Sequence, residues 1–481
     1  TTATAATATA EMEAAAVTGA DADETRTSRR RPHSAPAPAP TPAPAPTPAP
    51  APAGLASSAS AANVCTFVGQ QSFARSYLNE AYLWYREVPA VNAASFTTIP
   101  SYFDALRTPL LDSTGARKDR FSFVITNAQA DTSASGVGAS YGAEFIVDSA
   151  GRIRVAQVEA NSPAANAGLT RGGEIVRGYT GTLFPAQAGI SITVSYRSTP
   201  TATARNVTMV SAIVQNDPVP QVKAFQTASG KKLGYVLFNS FSSGAQDKLI
   251  AAVLGLRPLG LDSIVLDLRY NGGGFLYTAQ SLSSMLTTAT NDGKVFERLQ
   301  YNDKRAAETA DRTFNFNDSV QFGEATYRRG FVLPRLALPK VYVLTTGDSC
   351  SASESVINGL RGVDVQVVLI GSTTCGKPYG FARQDNCGLS YYPIEFQGTN
   401  AKGFGDYPAG FTATCNVADD LSKPLGDATE GLLSAALSHA ETGVCPAVSA
   451  TATERPKSQS ALQAELATIG KPPKAGKLVL P

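Results

Sequence analysis

"KVYVLTTGDSCSASESVINGLRGVDVQVVLIGSTTCGKPYG", residues 340–380, decides how this chain folds. "KVYVLTT" is a short apolar, β-branched run, "SESVINGLRG" reads as a helix, and "VQVVLIG" is a second short apolar run. A buried strand, a polar turn, a helix and another buried strand make a crossover unit of a layered sheet. The turn "GDSCSASE" puts small hydroxyl residues at a helix N-terminus, where unpaired N–H groups and the helix dipole favour developing negative charge. Past the second strand, Lys377 stands in the Gly-flanked turn "CGKPYG". Adjacent parallel strands bring their C-terminal ends together, so Ser351 and Lys377 can meet. A Ser-rich stretch before a helix is commonly only a cap, and a Lys in a turn is commonly solvated; spacing alone leaves those readings open.

The same texture extends upstream. "LGYVLFNSF" from Leu233 and "DSIVLDLR" from Asp262 read as buried strands, residues 245–256 as an amphipathic helix between them, and Asn271 to Gly274 as a Gly-rich turn opening the next helix. Residues 291–335 look looser. Residues 216–447 are therefore expected to form an α/β core. Ahead of it, 126–215 hold short β-type runs, with Ser162 and Pro163 capping a short helix over Ala164, Ala165 and Ala167 and with Gly168 past its end. Further upstream, "FARSYLNEAYLWYREVP" (73–89) sets Phe73, Tyr77, Ala81, Trp84 and Tyr85 at helical spacing until Pro89 stops the helix. This makes 63–125 a small helical domain whose aromatic stripe is read as core. Residues 1–62 are almost all Ala, Thr, Pro, Ser and charge, too poor in apolar surface to offset ordering entropy. The alternation from Pro36 to Pro52 predicts a polyproline II spacer of roughly 50 Å. Residues 448–481 read as a flexible tail.

Composition excludes several classes. Across 481 residues the net charge is only +2, which leaves no electrostatic footprint for nucleic acid or a polybasic membrane surface. The cluster Arg29, Arg30, Arg31 lies in the low-complexity head, and no apolar run reaches the roughly 18 residues of a membrane span. There are two histidines, His33 in the head and His439 near the end of the globular part. A His-rich metal site is ruled out, and a His-based hydrolase would depend on His439 alone. No metal or organic cofactor is expected. The six cysteines fit no zinc spacing and all lie in the globular part. An even, scattered set favours disulfides and an oxidising compartment over reduced core thiols. Export to a bacterial periplasm or cell surface is the expected localisation, with the spacer as an envelope anchor.

Two resemblances sharpen this reading. "SPAANAGLTRGGEI" (162–175) resembles the core of PDZ domains of bacterial proteases, with Gly173-Glu174 where Gly-Asp is usual. It implies that Tyr141, Gly142, Ala143, Glu144 and Phe145 accept a peptide C-terminus by strand addition; a β domain with no open edge is the alternative. Further on, "CSASE", a Lys in "CGKPYG" 26 residues after Ser351, and "LDLRYNGGG" upstream resemble the C-terminal processing peptidases, or tail-specific proteases. The resemblance runs from Tyr82 to Ala436. It implies a multidomain α/β fold: a layered crotonase/ClpP-like α/β protease core, a small helical N-terminal domain and a PDZ-like β domain. By motif, Ser351 is the nucleophile and Lys377 the general base. The backbone N–H groups of Ala352 and Gly273, with Gly274 as neighbour, would form the oxyanion hole. A lysine base must be neutral, several units below its ordinary value of about 10.4, through burial. Polypeptides with free C-termini are the implied partners.

The chain also departs from that pattern. Phe381 stands where a Gln is usual, which leaves Glu354 as a candidate orienting residue. Gly362 replaces an acidic residue, with Asp364 two positions on, and Ser353 is a competing nucleophile. Cys350 and Cys375 flank Ser351 and Lys377 and are expected to bond; Cys387 with Cys415 and Cys65 with Cys445 complete the expected set. Two other functions fit parts of the sequence: a peptide-binding protein with a decayed protease site, and a crotonase-like acyl-CoA enzyme.

Overall fold

Alternation along four buried strands builds the core. In the computed structural model, which describes residues 56–148 and 150–447, a six-stranded sheet runs in the order Cys415–Asn416, Gln366–Gly371, Lys340–Thr345, Ser263–Asp267, Lys232–Leu237, Gln221–Gln226. All neighbours are parallel except the last pair. Successive side chains of a strand point to opposite faces. Accordingly Val236, Ile264, Leu266, Val341, Val343, Val367 and Leu369 pack on one face, under the helices Ala245–Leu256, Leu276–Leu286 and Ala352–Gly362. Leu233, Tyr235, Leu237, Val265, Tyr342, Leu344, Val368 and Ile370 pack on the other, against the helix Gly431–Thr442. A sheet covered on both faces needs apolar residues at every position, and for that reason these strands read as continuous runs.

The stretch expected to be loose is partly ordered. Val295–Tyr301 pairs with Phe396–Thr399 and Thr313–Asn315 in a second, four-stranded sheet that ends at Tyr379–Gly380. The N-terminal helices are Phe67–Ala81 and Ile99–Leu106. The first stops before Pro89: Tyr82 caps it, and Leu83 donates its N–H to the Ile394 carbonyl at 2.8 Å, pulling the chain onto the core. These helices do not close a core of their own. Phe73, Tyr77, Tyr102 and Phe103 share one apolar cluster with Phe275, Phe381, Tyr391 and Tyr392, and Phe123–Thr126 pairs with Leu389–Tyr392.

Residues 137–215 hold a five-stranded antiparallel sheet, Ala143–Val147, Ile153–Val158, Glu174–Val176, Ser191–Arg197 and Arg205–Val210, with its own apolar cluster. The short helix Pro163–Asn166 is capped by Ser162, as its sequence predicts, and no helix occurs between residues 177 and 190. The head does not stay unstructured up to residue 62, because Ser57 caps a short helix, Ser58–Ala61, that Glu80 ties down through the Ser58 N–H at 2.8 Å. The Pro36–Pro52 spacer, the Arg29–Arg31 cluster, His33 and the tail 448–481 lie outside the described residues. Among those described, no helix is long and apolar enough to cross a membrane.

Candidate active site

Three turns leave the C-terminal ends of adjacent parallel strands and meet: 268–274 after Ser263–Asp267, 346–351 after Lys340–Thr345, and 372–378 after Gln366–Gly371. Open α/β sheets carry their sites at this end.

The second turn ends on Ser351, which caps the helix Ala352–Gly362 at φ 63°, ψ −112°. A side chain bearing Cβ in that region costs about 1–3 kcal/mol, strain that persists only where the surroundings impose it. Its Oγ is buried and has no hydrogen-bond partner among the described residues. An unsatisfied buried hydroxyl costs a further 1–3 kcal/mol or about that. Ser353, the competing nucleophile, is committed elsewhere: its hydroxyl donates to the Asn271 carbonyl at 2.9 Å.

Glu354, fully buried, knits the second and third turns together. Its Oε2 accepts the N–H groups of Ser351 (3.0 Å) and Lys377 (2.8 Å), and its Oε1 accepts the Gly376 N–H (2.7 Å) and the Thr374 hydroxyl (2.6 Å). Burial pushes its carboxyl up, against the downward pull of the Thr374 hydroxyl and the three N–H groups. The disulfide Cys350–Cys375, Cα atoms 5.0 Å apart, binds the same two turns covalently, as their flanking positions predict. Lys377 is 3% exposed, its Nζ 4.1 Å from the centre of the Phe381 ring and 5.3 Å from that of Phe121.

The first turn lies directly against the nucleophile. A Cβ on Gly273, at φ 103°, would stand 2.9 Å from both the Ala352 nitrogen and the Ser351 Cβ. Asn271, which the sequence reading passed over, organises this turn. Its Oδ1 accepts the Gly273 N–H (2.9 Å), its Nδ2 donates to the Phe238 carbonyl (2.9 Å), and its own carbonyl accepts the Cys350 N–H (3.0 Å). Its place in an Asn-Gly-Gly-Gly run was the only signal.

The remaining expected residues fall away from this centre. Asp364 is exposed and paired with Lys402, while a side chain at Gly362 would meet Asn400 at 2.9 Å. His439 lies on the helix across the opposite face of the sheet, beside the Tyr342 hydroxyl at 3.3 Å. Two of the expected disulfides are corrected: the bonds are Cys65–Cys387 and Cys415–Cys445. Cys387 follows the strand Gln384–Asn386 in a hairpin that pairs with the N-terminal region, which brings it to Cys65. Cys415 sits on the sheet edge that meets the end of the last helix. Cys415, His439 and Cys445 have ligand-type atoms within 4.8 Å of one another, but the two sulfurs are bonded to each other. Of the residues expected to take a peptide, Ala143 and Glu144 lie on the edge strand of the five-stranded sheet, while Tyr141 and Phe145 are buried and Phe145 packs against Phe184. The Gly142 carbonyl accepts the Glu159 N–H at 2.8 Å.

A buried serine on a strained strand-to-helix turn, at the open end of a layered sheet, is the arrangement of a hydrolase nucleophile, and similarity to known proteins makes the class a serine-type peptidase. Residues 232–383 match the model of peptidase family S41, and residues 69–123 match the S41 N-terminal domain. A carboxyl-terminal-processing protease of Picosynechococcus is 27% identical over 189 residues, which are 39% of this chain and 39% of that relative. A solved S41-type protein of Bacteroides fragilis is 27% identical with a TM-score of 0.61, over 78% of this chain and 98% of its own. The photosystem II D1 C-terminal processing protease is 18% identical with a TM-score of 0.47, over 78% of this chain and 99% of its own.

Proposed function

We propose that the chain is a serine endopeptidase with a Ser/Lys dyad, acting on extended or unfolded polypeptides. The observation that carries this reading is the shared Glu354 carboxylate, which ties the backbone of Ser351 to that of Lys377. Neutral Lys377 takes the Ser351 Oγ proton as Oγ attacks the peptide carbonyl carbon. The carbonyl oxygen becomes an oxyanion at the Ala352 N–H, on the first turn of a helix whose dipole favours the charge. The second donor comes from the Gly273–Gly274 turn; Gly273 already gives its N–H to Asn271, whereas that of Gly274 has no acceptor among the described residues. Collapse breaks the C–N bond, and the leaving amine takes the proton back from the Lys377 ammonium. Water, deprotonated by Lys377, then hydrolyses the acyl-enzyme. Near-complete burial of Lys377 favours the neutral amine that this role requires.

The sheet of residues 143–210 acts, on this proposal, as a PDZ-like domain that captures substrate C-termini along the edge strand Ala143–Val147, supported by the Ser162-capped helix beside the Tyr141–Gly142 loop. Three disulfides support export to an oxidising compartment, the periplasm or cell surface, with the N-terminal spacer as envelope anchor. The test is degradation of an unfolded polypeptide by the wild type, Ser351→Ala and Lys377→Ala. Loss in both folded variants supports the dyad. Cleavage by Ser351→Ala overturns it, and a wild type that binds peptide C-termini but cleaves nothing is a decayed, peptide-binding protein.

A further inference from the structure

Where the family resemblance leads one to expect a Gln, this chain has Phe381, and the ring is not idle. The Lys377 Nζ stands over its face at 4.1 Å and over that of Phe121 at 5.3 Å. Phe381 is fully buried and locked by edge contacts with Phe123 (centroids 5.7 Å apart) and Tyr392 (5.3 Å), so its face cannot turn away. Phe121 arrives from the N-terminal region and is held there by its neighbours. Arg120 pairs with Asp112 and donates to the Pro408 carbonyl at 2.8 Å, the same carbonyl against which Gly376 is packed. Asp119 accepts the Phe121 N–H at 3.0 Å and the Tyr82 hydroxyl at 2.6 Å.

We propose that Phe121 and Phe381 form an aromatic clamp that positions the Lys377 amine and sets its proton affinity, so that a residue of the N-terminal region completes the active site. The clamp rests on the reading of Lys377 as the base. The rings act in two opposed ways. Their negative faces attract the ammonium form, and their bulk keeps out water, which favours the free amine. Leucine in place of either ring keeps the dryness and removes the attraction, whereas glutamine at 381 adds an amide dipole and polarity. Titratable and charged groups on the elements that meet here include Glu354, which accepts the Lys377 N–H, Asp119, which accepts the Phe121 N–H, the Arg120–Asp112 pair, whose Arg120 reaches the Gly376 carbonyl, and Tyr379 with its neighbour Asp406. All of them persist in the ring variants, so a change in pH response belongs to the ring.

The experiment compares kcat/KM against pH on heat-denatured casein for wild type, Phe381→Leu, Phe381→Gln and Phe121→Leu. In parallel, the Lys377 13Cε signal is titrated by NMR in lysine-labelled protein, assigned with Lys377→Arg. The acid limb and the NMR midpoint should both move down by about 0.5 to 1.5 pH units in the leucine variants, and up in Phe381→Gln. Folded variants that lose activity with both midpoints unmoved overturn the clamp and leave the rings as packing. If the Phe381 variants lose their near-UV circular dichroism, Phe121→Leu, at a site 9% exposed, decides alone. Wild-type cleavage by Lys377→Ala overturns the general-base reading instead, and the NMR midpoints still decide the clamp.

Discussion

Ser351 and Lys377 donate their backbone N–H groups to one and the same oxygen, Oε2 of Glu354, at 3.0 and 2.8 Å. The two turns leave different strands, yet neither can shift without breaking a bond to a carboxylate that is buried and already holds two more donors, Thr374 and Gly376. A charged acceptor makes such bonds shorter and stronger than a neutral one. Glu354 touches backbone rather than reacting atoms, which makes it a positioning residue for the proposed dyad.

Substituting Glu354→Gln tests this directly. An amide has one acceptor oxygen, so its NH2 must face backbone N–H groups that themselves need acceptors. We expect a loss of about 2–3 kcal/mol in unfolding free energy and a fall in kcat/KM on the order of 100-fold. Urea unfolding and steady-state cleavage by the same preparation measure both. Wild-type kcat/KM in the variant would show that the two turns hold their alignment without the carboxylate.

Gly273 answers to a different constraint, close approach. Its φ of 103° suits glycine, and a Cβ there would stand 2.9 Å from the Ala352 nitrogen, one of the proposed oxyanion donors. Gly273→Ala is expected to lower kcat by about 10²–10³-fold, the usual cost of disturbing an oxyanion hole, with a much smaller change in KM. A kcat within about threefold of wild type would remove this turn from the transition state.

Much of this arrangement can be read in one dimension because the forces behind it are local. The strands Lys232–Leu237, Ser263–Asp267, Lys340–Thr345 and Gln366–Gly371 are continuous apolar runs, since their sheet is covered on both faces. Ser351 and Lys377 each sit just past such a strand, and parallel pairing alone brings the two turns together. What stays hidden depends on distant partners. Nothing near Phe121 tells that it ends above Lys377, since that placement is set by Arg120 reaching Pro408. The helix that starts at Phe67 ends at Ala81 because Leu83 is taken by Ile394, while local spacing carried the pattern on to Tyr85. Cys387 and Cys415 enclose one segment of sequence but belong to different sheets, so closeness along the chain paired them wrongly.

The disulfide Cys350–Cys375 closes a separation of 25 residues between the two turns. Chain-entropy estimates for a loop of this size give about 3 kcal/mol. The double variant Cys350→Ala/Cys375→Ala should lose about that much stability, and its kcat/KM should fall about tenfold while Glu354 still holds the turns. Guanidinium unfolding and cleavage assays at 25 °C, below the variant's transition, read the two effects separately. Full activity with lowered stability would restrict the bond to a structural role.

Arg269 carries the last prediction. It is fully buried and bonds to Asp267 and Glu430 through paired contacts of 2.7–2.9 Å, and to Asp419 at 2.8 Å. Arg171, from the five-stranded-sheet region, reaches the same Asp419 oxygen at 2.8 Å and the Tyr270 hydroxyl at 2.7 Å, directly before the Asn271 turn. Burial alone would push the Asp419 carboxyl up, but Arg269 and Arg171 hold it below the ordinary carboxylate range. A depressed carboxyl contributes stability that is present above its unfolded value of about 3.9 and is lost as pH falls through the lower folded value. Arg269→Met keeps the volume and leaves three carboxylates without this cation, a change expected to cost about 3–5 kcal/mol at neutral pH. The deficit relative to wild type should shrink as pH is lowered through the carboxylate range, because protonation neutralises what the arginine no longer balances. Urea unfolding at a series of pH values measures this, and a deficit that stays constant with pH would mean that lost packing, not unpaired charge, is what the arginine prevents.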